Sequence, residues 1–422
     1  MYDMRCEGGP PVDIIYMDNN ATTRVAPEVV EAMTPYLTTE YFNPSSMYAP
    51  ASGPADAITE SRKTIAQLLG KARPQEILFT SCATESNNTA IFGTIAANPE
   101  RRHVITTAVE HPAIYGVAKD LERRGFEVDF LSVDPSGQLD ITEFVRVLRP
   151  DTLLVSVMHA NNETGVVFPV EELSRITKET DPSIVFHTDA TQTVGKLPID
   201  VRGAFKNVDL LSFSGHKLHA PKGIGALYIR RGTPCRPYLL GGHQEDGRRA
   251  GTENVAFIVG LARALELMIE HHDEDEARIE AMRDRLERDL TSRIPYLQVN
   301  GNGAPRLGNT LNVACHFIEG EGILYQLSSH GICASSGSAC TSGSLEPSHV
   351  LRAMHVPFTA IHGSVRFSLS RYNTADEVDR VVEVFPTIVE NLRRLSPYWN
   401  VEAAAPRPEA VKMMENTEAS HL

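Results

Sequence analysis

From about residue 76 onward, short apolar runs rich in β-branched residues alternate with stretches of helical spacing, and Gly, Pro or Asn marks most of the joins. Parallel strands cannot be joined by a tight turn, so a chain patterned this way is expected to fold as an α/β domain with a mainly parallel sheet. Seven runs qualify as strands, at 76–80, 103–107, 127–132, 152–158, 184–188, 208–214 and 225–230, which makes the sheet seven-stranded. Beyond them the pattern becomes helical. Ile258, Leu261, Leu265 and Met268 recur at helical spacing over 254–272, and Ile279, Met282, Leu286 and Leu290 do the same over 274–294. The acidic run Asp273-Glu-Asp-Glu276 between them reads as a solvated helix face or turn and marks the expected division. Residues 24–272 then form a large domain, and residues 1–23 with 273–400 a smaller α+β domain. Residues 401–422, with Ala403-Ala-Ala-Pro-Arg-Pro near their start, read as a loose C-terminal tail.

Size and charge narrow the function. A chain of 422 residues can bury a large core, and its 54 acidic against 40 basic residues leave a formal charge of −14. That balance disfavours nucleic acid or an anionic membrane as the main partner. Residues 1–10 lack a signal-like apolar stretch and no apolar run is long enough to span a bilayer, so a cytoplasmic protein is expected. Cys6, Cys82, Cys235, Cys315, Cys333 and Cys340 are scattered without a C-x-x-C pair, so free thiols are expected rather than a disulfide framework or a zinc site.

Polar clusters follow the apolar runs, and in an open parallel sheet the C-terminal strand ends line the ligand crevice. Lys217, in Ser212-Phe-Ser-Gly-His-Lys217, is either a solvated lysine or one able to form a Schiff base. Asp189, in His187-Thr-Asp189-Ala-Thr-Gln192, is either a helix N-cap or a carboxylate that pairs with a protonated pyridine nitrogen. Thr80-Ser-Cys-Ala-Thr84-Glu-Ser-Asn opens a helix with cap formers, a place where free backbone N–H groups collect phosphate. Glu110-His111-Pro112 adds an imidazole that can stack on a ring, and His159-Ala-Asn-Asn162 an amide that can hydrogen-bond it. Phosphate, pyridinium and Schiff-base partners together specify pyridoxal 5′-phosphate. Further on, Arg366 in His362-Gly-Ser-Val-Arg366 reads as a clamp for an amino acid's carboxylate or as a surface ion pair. The stretch Cys333-Ala-Ser-Ser-Gly-Ser-Ala-Cys340-Thr-Ser-Gly-Ser-Leu345 offers no side chain large enough to pack a core, so Cys340 is either incidental or a presented nucleophile.

With these residues in view, the chain resembles the cysteine desulfurases, pyridoxal-phosphate enzymes of the aspartate aminotransferase fold (fold type I), and among them the NifS-type branch associated with nitrogenase cluster assembly. The resemblance runs from about Tyr16 to Trp399. Its motifs are Asp18-Asn-Asn-Ala-Thr-Thr23, Ala160-Asn-Asn-Glu-Thr-Gly165, Ser214-Gly-His-Lys-Leu-His-Ala-Pro-Lys-Gly223, Arg249-Ala-Gly-Thr-Glu-Asn254 and Ser335-Ser-Gly-Ser-Ala-Cys-Thr-Ser-Gly-Ser-Leu-Glu-Pro-Ser-His349. It implies that Lys217 carries the cofactor, Asp189 meets the pyridine nitrogen, Gln192 meets the ring hydroxyl and His111 stacks on the ring. It places the phosphate on Ala83, Thr84, Ser214 and His216, with Thr252 reaching it from the other subunit of a homodimer. Asn162 and Arg366 would hold the substrate carboxylate, and Cys340 would form the persulfide. The leader before Tyr16 is longer than the family pattern and carries Cys6, while Cys82 and Cys333 stand where relatives often have other small residues; all three are expected to pack.

The activity so implied converts L-cysteine to L-alanine, with the sulfur transferred to Cys340 and handed to an iron–sulfur scaffold protein of the NifU-like kind. No resident metal is expected, although Cys340 could ligate an iron–sulfur cluster during transfer. A housekeeping desulfurase, or an aminotransferase or β-lyase that needs no nucleophilic thiol, shares the same fold. A sulfur carrier or assembly scaffold without catalysis is the alternative from another class.

Overall fold

The computed structural model describes residues 14–336 and 347–419, with side chains through Met414; Cys6 and Cys340 therefore lie outside the described residues. After a short strand β1 (Ile15–Tyr16) come the seven runs read from the sequence, each now a strand: β2 (Ile77–Thr80), β3 (His103–Thr107), β4 (Glu127–Leu131), β5 (Thr152–Ser156), β6 (Val185–Asp189), β7 (Leu210–Ser214) and β8 (Gly225–Ile229). They form one sheet in the order β2-β8-β7-β6-β5-β3-β4. Four neighbouring pairs are parallel, while β8 runs antiparallel to both β2 and β7. The reversal has a simple cause. Only residues 215–224 join β7 to β8, too few for the crossover that a parallel partner requires. Every other strand of the sheet points the same way, so the ends of β2, β3, β5, β6 and β7 share one edge.

Helices cover both faces, as a parallel sheet demands. Side chains alternate along each strand: Val104 and Leu154 pack with Ile91 of α3 (Ala83–Ala97) and with Ile114 and Leu121 of α4 (Pro112–Arg123). Their neighbours Ile105 and Val155, with Phe186 and Phe213, belong to the opposite cluster. That cluster includes α1 (Pro27–Thr38), α2 (Ser52–Leu68), α5 (Ile141–Val147), α6 (Val170–Thr180) and α7 (Val255–Glu270), whose buried residues include the expected Ile258, Leu261 and Leu265.

A separate apolar cluster joins Ile279, Met282, Leu286 and Leu290 of α8 (His272–Arg293) to Val313, Val365, Phe367 and Phe385, and also takes in Ile15 and Met17. Its antiparallel sheet holds β9 (Leu297–Val299), β10 (Thr310–Cys315) and β12 (Ser364–Ser368), in the order β12-β10-β9. Strand β1 pairs in parallel with β11 (Ile332–Cys333), and Asp18 bridges to Ser368. The acidic run proves to be the first turn of α8, where negative side chains oppose the helix dipole. Short helices α9 (Gly320–Ser329), α10 (His349–Ala353) and α11 (Phe358–Ile361) precede the long α12 (Ala375–Leu395).

One expectation is corrected here. Residues 401–419 are not a loose tail: β13 (Trp399–Asn400) pairs with β14 (Ala405–Pro406), and α13 (Pro408–Ala419) buries Ala410 against Phe317 and Trp399. The prolines that suggested a linker instead end the turn and occupy the first helical position, where no N–H is needed.

Candidate active site

A cavity of about 1000 Å³ opens at the shared edge of the sheet. It is lined by Ala83, Thr84, His111, Asn162, Asp189, Gln192, Ser214, His216, Lys217 and Arg366, which places ten of the residues singled out from the sequence around one space. One corner of it is the turn from β2 into α3, where Cys82, Ala83 and Thr84 line the cavity. Cys82 at the helix N-cap supplies no side-chain cap, so the backbone N–H groups at Ala83 and Thr84 are available to an anion. Gly225 makes this turn possible, because a Cβ there would lie 2.8 Å from the Cys82 carbonyl carbon and 2.8 Å from the Phe213 oxygen.

Lys217 leaves the end of β7 and donates from Nζ to the carbonyls of Asn20 at 2.5 Å and Ala21 at 2.7 Å. The same 18–23 segment engages its neighbour: His216 Nδ1 lies 3.2 Å from Thr22 Oγ1, and Thr23 N donates to the His216 carbonyl. Burial and the adjacent Lys217 cation push the His216 imidazole down to about 4, so it is neutral. His111 caps α4. The Ala113 amide donates to its Nδ1 at 3.1 Å, which leaves the proton of the neutral ring on Nε2. Burial lowers the His111 pKa, Asp189 opposes that shift and Lys217 adds to it.

No helix follows Asp189, so its carboxylate caps a turn instead of a helix. Its Oδ1 accepts from Thr191 N at 2.9 Å, closing a turn, and its Oδ2 accepts from Asn87 Nδ2 at 2.7 Å while the residue faces the cavity. Gln192 donates from Nε2 to the Asn20 carbonyl at 3.1 Å. Opposite lies Arg366, which is 1% exposed and so is no surface cation. Its Nη1 donates to the Asn162 carbonyl and its Nη2 to Asp18 Oδ1, each at 2.8 Å, while Nε is buried without a partner among the described residues. An orphaned guanidinium N–H beside a cavity is a waiting site for an anion.

Five further residues were not assigned roles from the sequence. Asp18 holds Arg366, and the carbonyls of Asn20 and Ala21 hold Lys217; only the Asp18–Thr23 motif hinted at them. Glu110, fully buried, accepts from Met158 N and Thr107 Oγ1, and desolvation, reinforced by Asp189, pushes it up to about 8. Glu163 is likewise raised by burial, against a 2.6 Å hydrogen bond from Ser348 Oγ.

Cys340 itself is outside the described residues, but both of its described flanks are tied to the cavity wall. Ser335 exchanges backbone hydrogen bonds with Arg366, and beyond the segment Ser348 meets Glu163 while His349 Nε2 lies 2.9 Å from the Glu110 carbonyl. Thr252 is exposed and does not line its own chain's cavity; nearby Arg249 pairs with Glu85 in the first turn of α3.

The donor set fits pyridoxal 5′-phosphate. An uncapped helix start suits the phosphate, a doubly anchored carboxylate the ring nitrogen, a lysine amine the aldehyde carbon, and the orphaned Arg366 Nε a substrate carboxylate. The comparisons agree. The model of the family "Aminotransferase class-V" matches residues 15–381. A cysteine desulfurase of Trichormus azollae is 55% identical over 93% of this chain and 97% of its own, and cysteine desulfurase NifS of Azotobacter vinelandii is 52% identical over 92% and 95%. A solved NifS-like protein superposes with a TM-score of 0.84 at 38% identity, over 90% of this chain and all of its own. With a seven-stranded sheet of fold type I, a cavity at its strand ends and these relatives, the chain belongs to the class-V aminotransferase family and, within it, to the NifS-type cysteine desulfurases, which depend on pyridoxal 5′-phosphate.

Proposed function

We propose that this desulfurase works through two nucleophiles of its own, Lys217 in the cavity and Cys340 on the segment anchored beside it, to turn L-cysteine and the Cys340 thiol into L-alanine and a Cys340 persulfide. What carries the reading is that one cavity gathers Lys217, Asp189, His111 and Arg366, while Ser335 and Ser348 tie both ends of the Cys340 segment to its wall. Pyridoxal phosphate, when bound, supplies an electron sink at the substrate α-carbon. Ala83, Thr84, Ser214 and His216 hold its phosphate, Asp189 keeps its ring nitrogen protonated, and Gln192 meets its ring hydroxyl.

Arg366 Nε and the Asn162 amide hold the substrate carboxylate, and Lys217, as a free amine, takes the proton from Cα. The Cys340 thiolate then forms an S–S bond to the substrate sulfur as the Cβ–S bond breaks; the electron pair stays with the three-carbon skeleton, which is protonated to L-alanine. His111 lines the same cavity and would stack on the ring. Because its Nδ1 already accepts from Ala113, it offers the reacting sulfur an N–H from Nε2 and stabilises thiolate charge instead of removing the thiol proton.

The exposed position of Thr252, away from its own cavity, supports a homodimer in which it reaches the partner's phosphate. The similarity to NifS supports a NifU-like iron–sulfur scaffold as acceptor and a role in nitrogenase assembly, with Cys340 able to ligate the cluster in transit. A cytoplasmic location is supported by the formal charge of −14, which disfavours an anionic membrane as partner. Mass spectrometry after exposure to cysteine tests the central claim: one added sulfur is expected on Cys340 and is lost in Cys340→Ser. A label on Cys82 or Cys333, or persulfide formation that survives Cys340→Ser, overturns it.

A further inference from the structure

We propose that Lys196, behind the cavity wall, sets the polarity of the Gln192 side-chain amide and so makes Gln192 an obligatory hydrogen-bond donor to the cofactor's ring oxygen. The inference rests on the proposed meeting of Gln192 with the ring hydroxyl. After β6 the chain coils through residues 190–197, where Val194 N donates to Ala190 O, Lys196 N to Thr193 O and Leu197 N to Thr193 O. This coiling brings residues four apart to one side. Gly195 completes it at φ +80°, where a Cβ would press on Met268 at 3.2 Å and Leu218 at 3.3 Å.

Lys196 Nζ consequently reaches Gln192 Oε1 at 3.3 Å, with both residues buried, at 7% and 4% exposure. An ammonium donates three hydrogen bonds and accepts none. At the other end of the same amide, Gln192 Nε2 donates to the Asn20 carbonyl, which can only accept. Each neighbour therefore permits one orientation. A flipped amide would set N–H₂ against the ammonium and oxygen against a carbonyl, losing both bonds. Burial pushes the Lys196 pKa down to about 8, and Glu276 on α8 opposes that shift, so the side chain is a cation at neutral pH.

Nε2 keeps a second N–H beyond the one given to Asn20, and a ring oxygen bonded to it must accept, which favours its deprotonated form. Lys217 Nζ shares the Asn20 carbonyl with Gln192, so the orienting line Lys196–Gln192–Asn20 ends on the lysine that carries the cofactor in the proposed mechanism. Lys196 is a positioning residue in this scheme, since it acts through Gln192.

The test uses the holoenzyme and reads the visible absorbance maximum of the bound cofactor together with its dissociation constant. Gln192→Ala should shift the maximum and weaken cofactor binding by about tenfold. Lys196→Met should shift it in the same direction, and the double variant should be no worse than Gln192→Ala alone. If Lys196→Met does not fold, Lys196→Gln, whose amide can donate or accept and so dictates nothing, is expected to give the same shift. A wild-type spectrum in either Lys196 variant, with only the melting temperature lowered, overturns the proposal and leaves Lys196 as a structural partner of Glu276. A wild-type spectrum in Gln192→Ala instead removes Gln192 from the ring hydroxyl and fails the reading on which the proposal rests.

Discussion

Arg366 Nη2 donates to Asp18 Oδ1 at 2.8 Å, joining residues 348 positions apart in the chain. The pair fixes the guanidinium plane and leaves Nε, which has no partner among the described residues, for a ligand. Asp18→Ala leaves a buried cation uncompensated and should cost about 3 kcal/mol of stability, read by denaturant titration. If Arg366 holds the substrate carboxylate, KM for cysteine should rise by about tenfold with kcat less affected. An unchanged KM in a folded Asp18→Ala enzyme would remove Asp18 from substrate positioning.

Ser348 serves Glu163 and the helix behind it together. Its Oγ donates to Glu163 Oε2 and also accepts from the N–H groups of Val350 and Leu351 at the start of α10. Ser348→Ala strands a buried carboxyl and an uncapped turn, and should lower stability by about 2 kcal/mol. Because Ser348 lies eight positions after Cys340, persulfide formation should slow more than cysteine binding. Ser348→Thr, which keeps the hydroxyl, should restore most of both; equal loss in the two variants would show that the hydroxyl is not what matters.

Glu110 gives a pH signature. Its folded pKa of about 8 lies above the ordinary carboxylate value of 4.5, so folding takes up a proton between those pH values. Its contribution to stability is complete below about pH 4.5 and is lost progressively as pH rises to 8, with a slope of at most about 1.4 kcal/mol per unit. Glu110→Gln removes this slope. The difference in unfolding free energy between variant and wild type should therefore grow in the variant's favour from pH 5 to pH 8; parallel curves would falsify the assignment.

Gly225 is held between Cys82 and Phe213 with no room for a methyl group. Gly225→Ala must push the turn before α3 away from β7, which separates the backbone N–H groups of Ala83 and Thr84 from Ser214. Loss of bound pyridoxal phosphate on gel filtration is expected, with the circular-dichroism spectrum retained. Full cofactor occupancy in that variant would show that the phosphate is held elsewhere.

Much of this architecture is local and legible in advance. Each strand of the large sheet announces itself as a short apolar run, and each polar cluster follows one, so the lysine, aspartate and phosphate turn could be placed at strand ends before their distances were known. The reversal of β8 was implicit in the short 215–224 connection. Arg366 could not be resolved between clamp and surface ion pair, because its partners β10, Ser335, Asp18 and Asn162 come from four separate parts of the chain. The C-terminal helix was missed because its reason for docking, the cover it gives Phe317 and Trp399, lies outside the segment.

Side-chain periodicity and turn chemistry are properties of neighbours in the chain, and they were enough to establish the α/β class, the strand positions and the residue types of a pyridoxal-phosphate site. Packing decided the rest. Asp18 on Arg366, Asn20 on Lys217 and Lys196 behind Gln192 are contacts created when two apolar clusters bury their own surfaces and carry polar groups into reach. Asn20 meets Gln192 across 172 residues and Lys217 across 197, and no local pattern encodes such a meeting. Once those groups leave water, each must find a partner inside the protein, and that requirement orients the site.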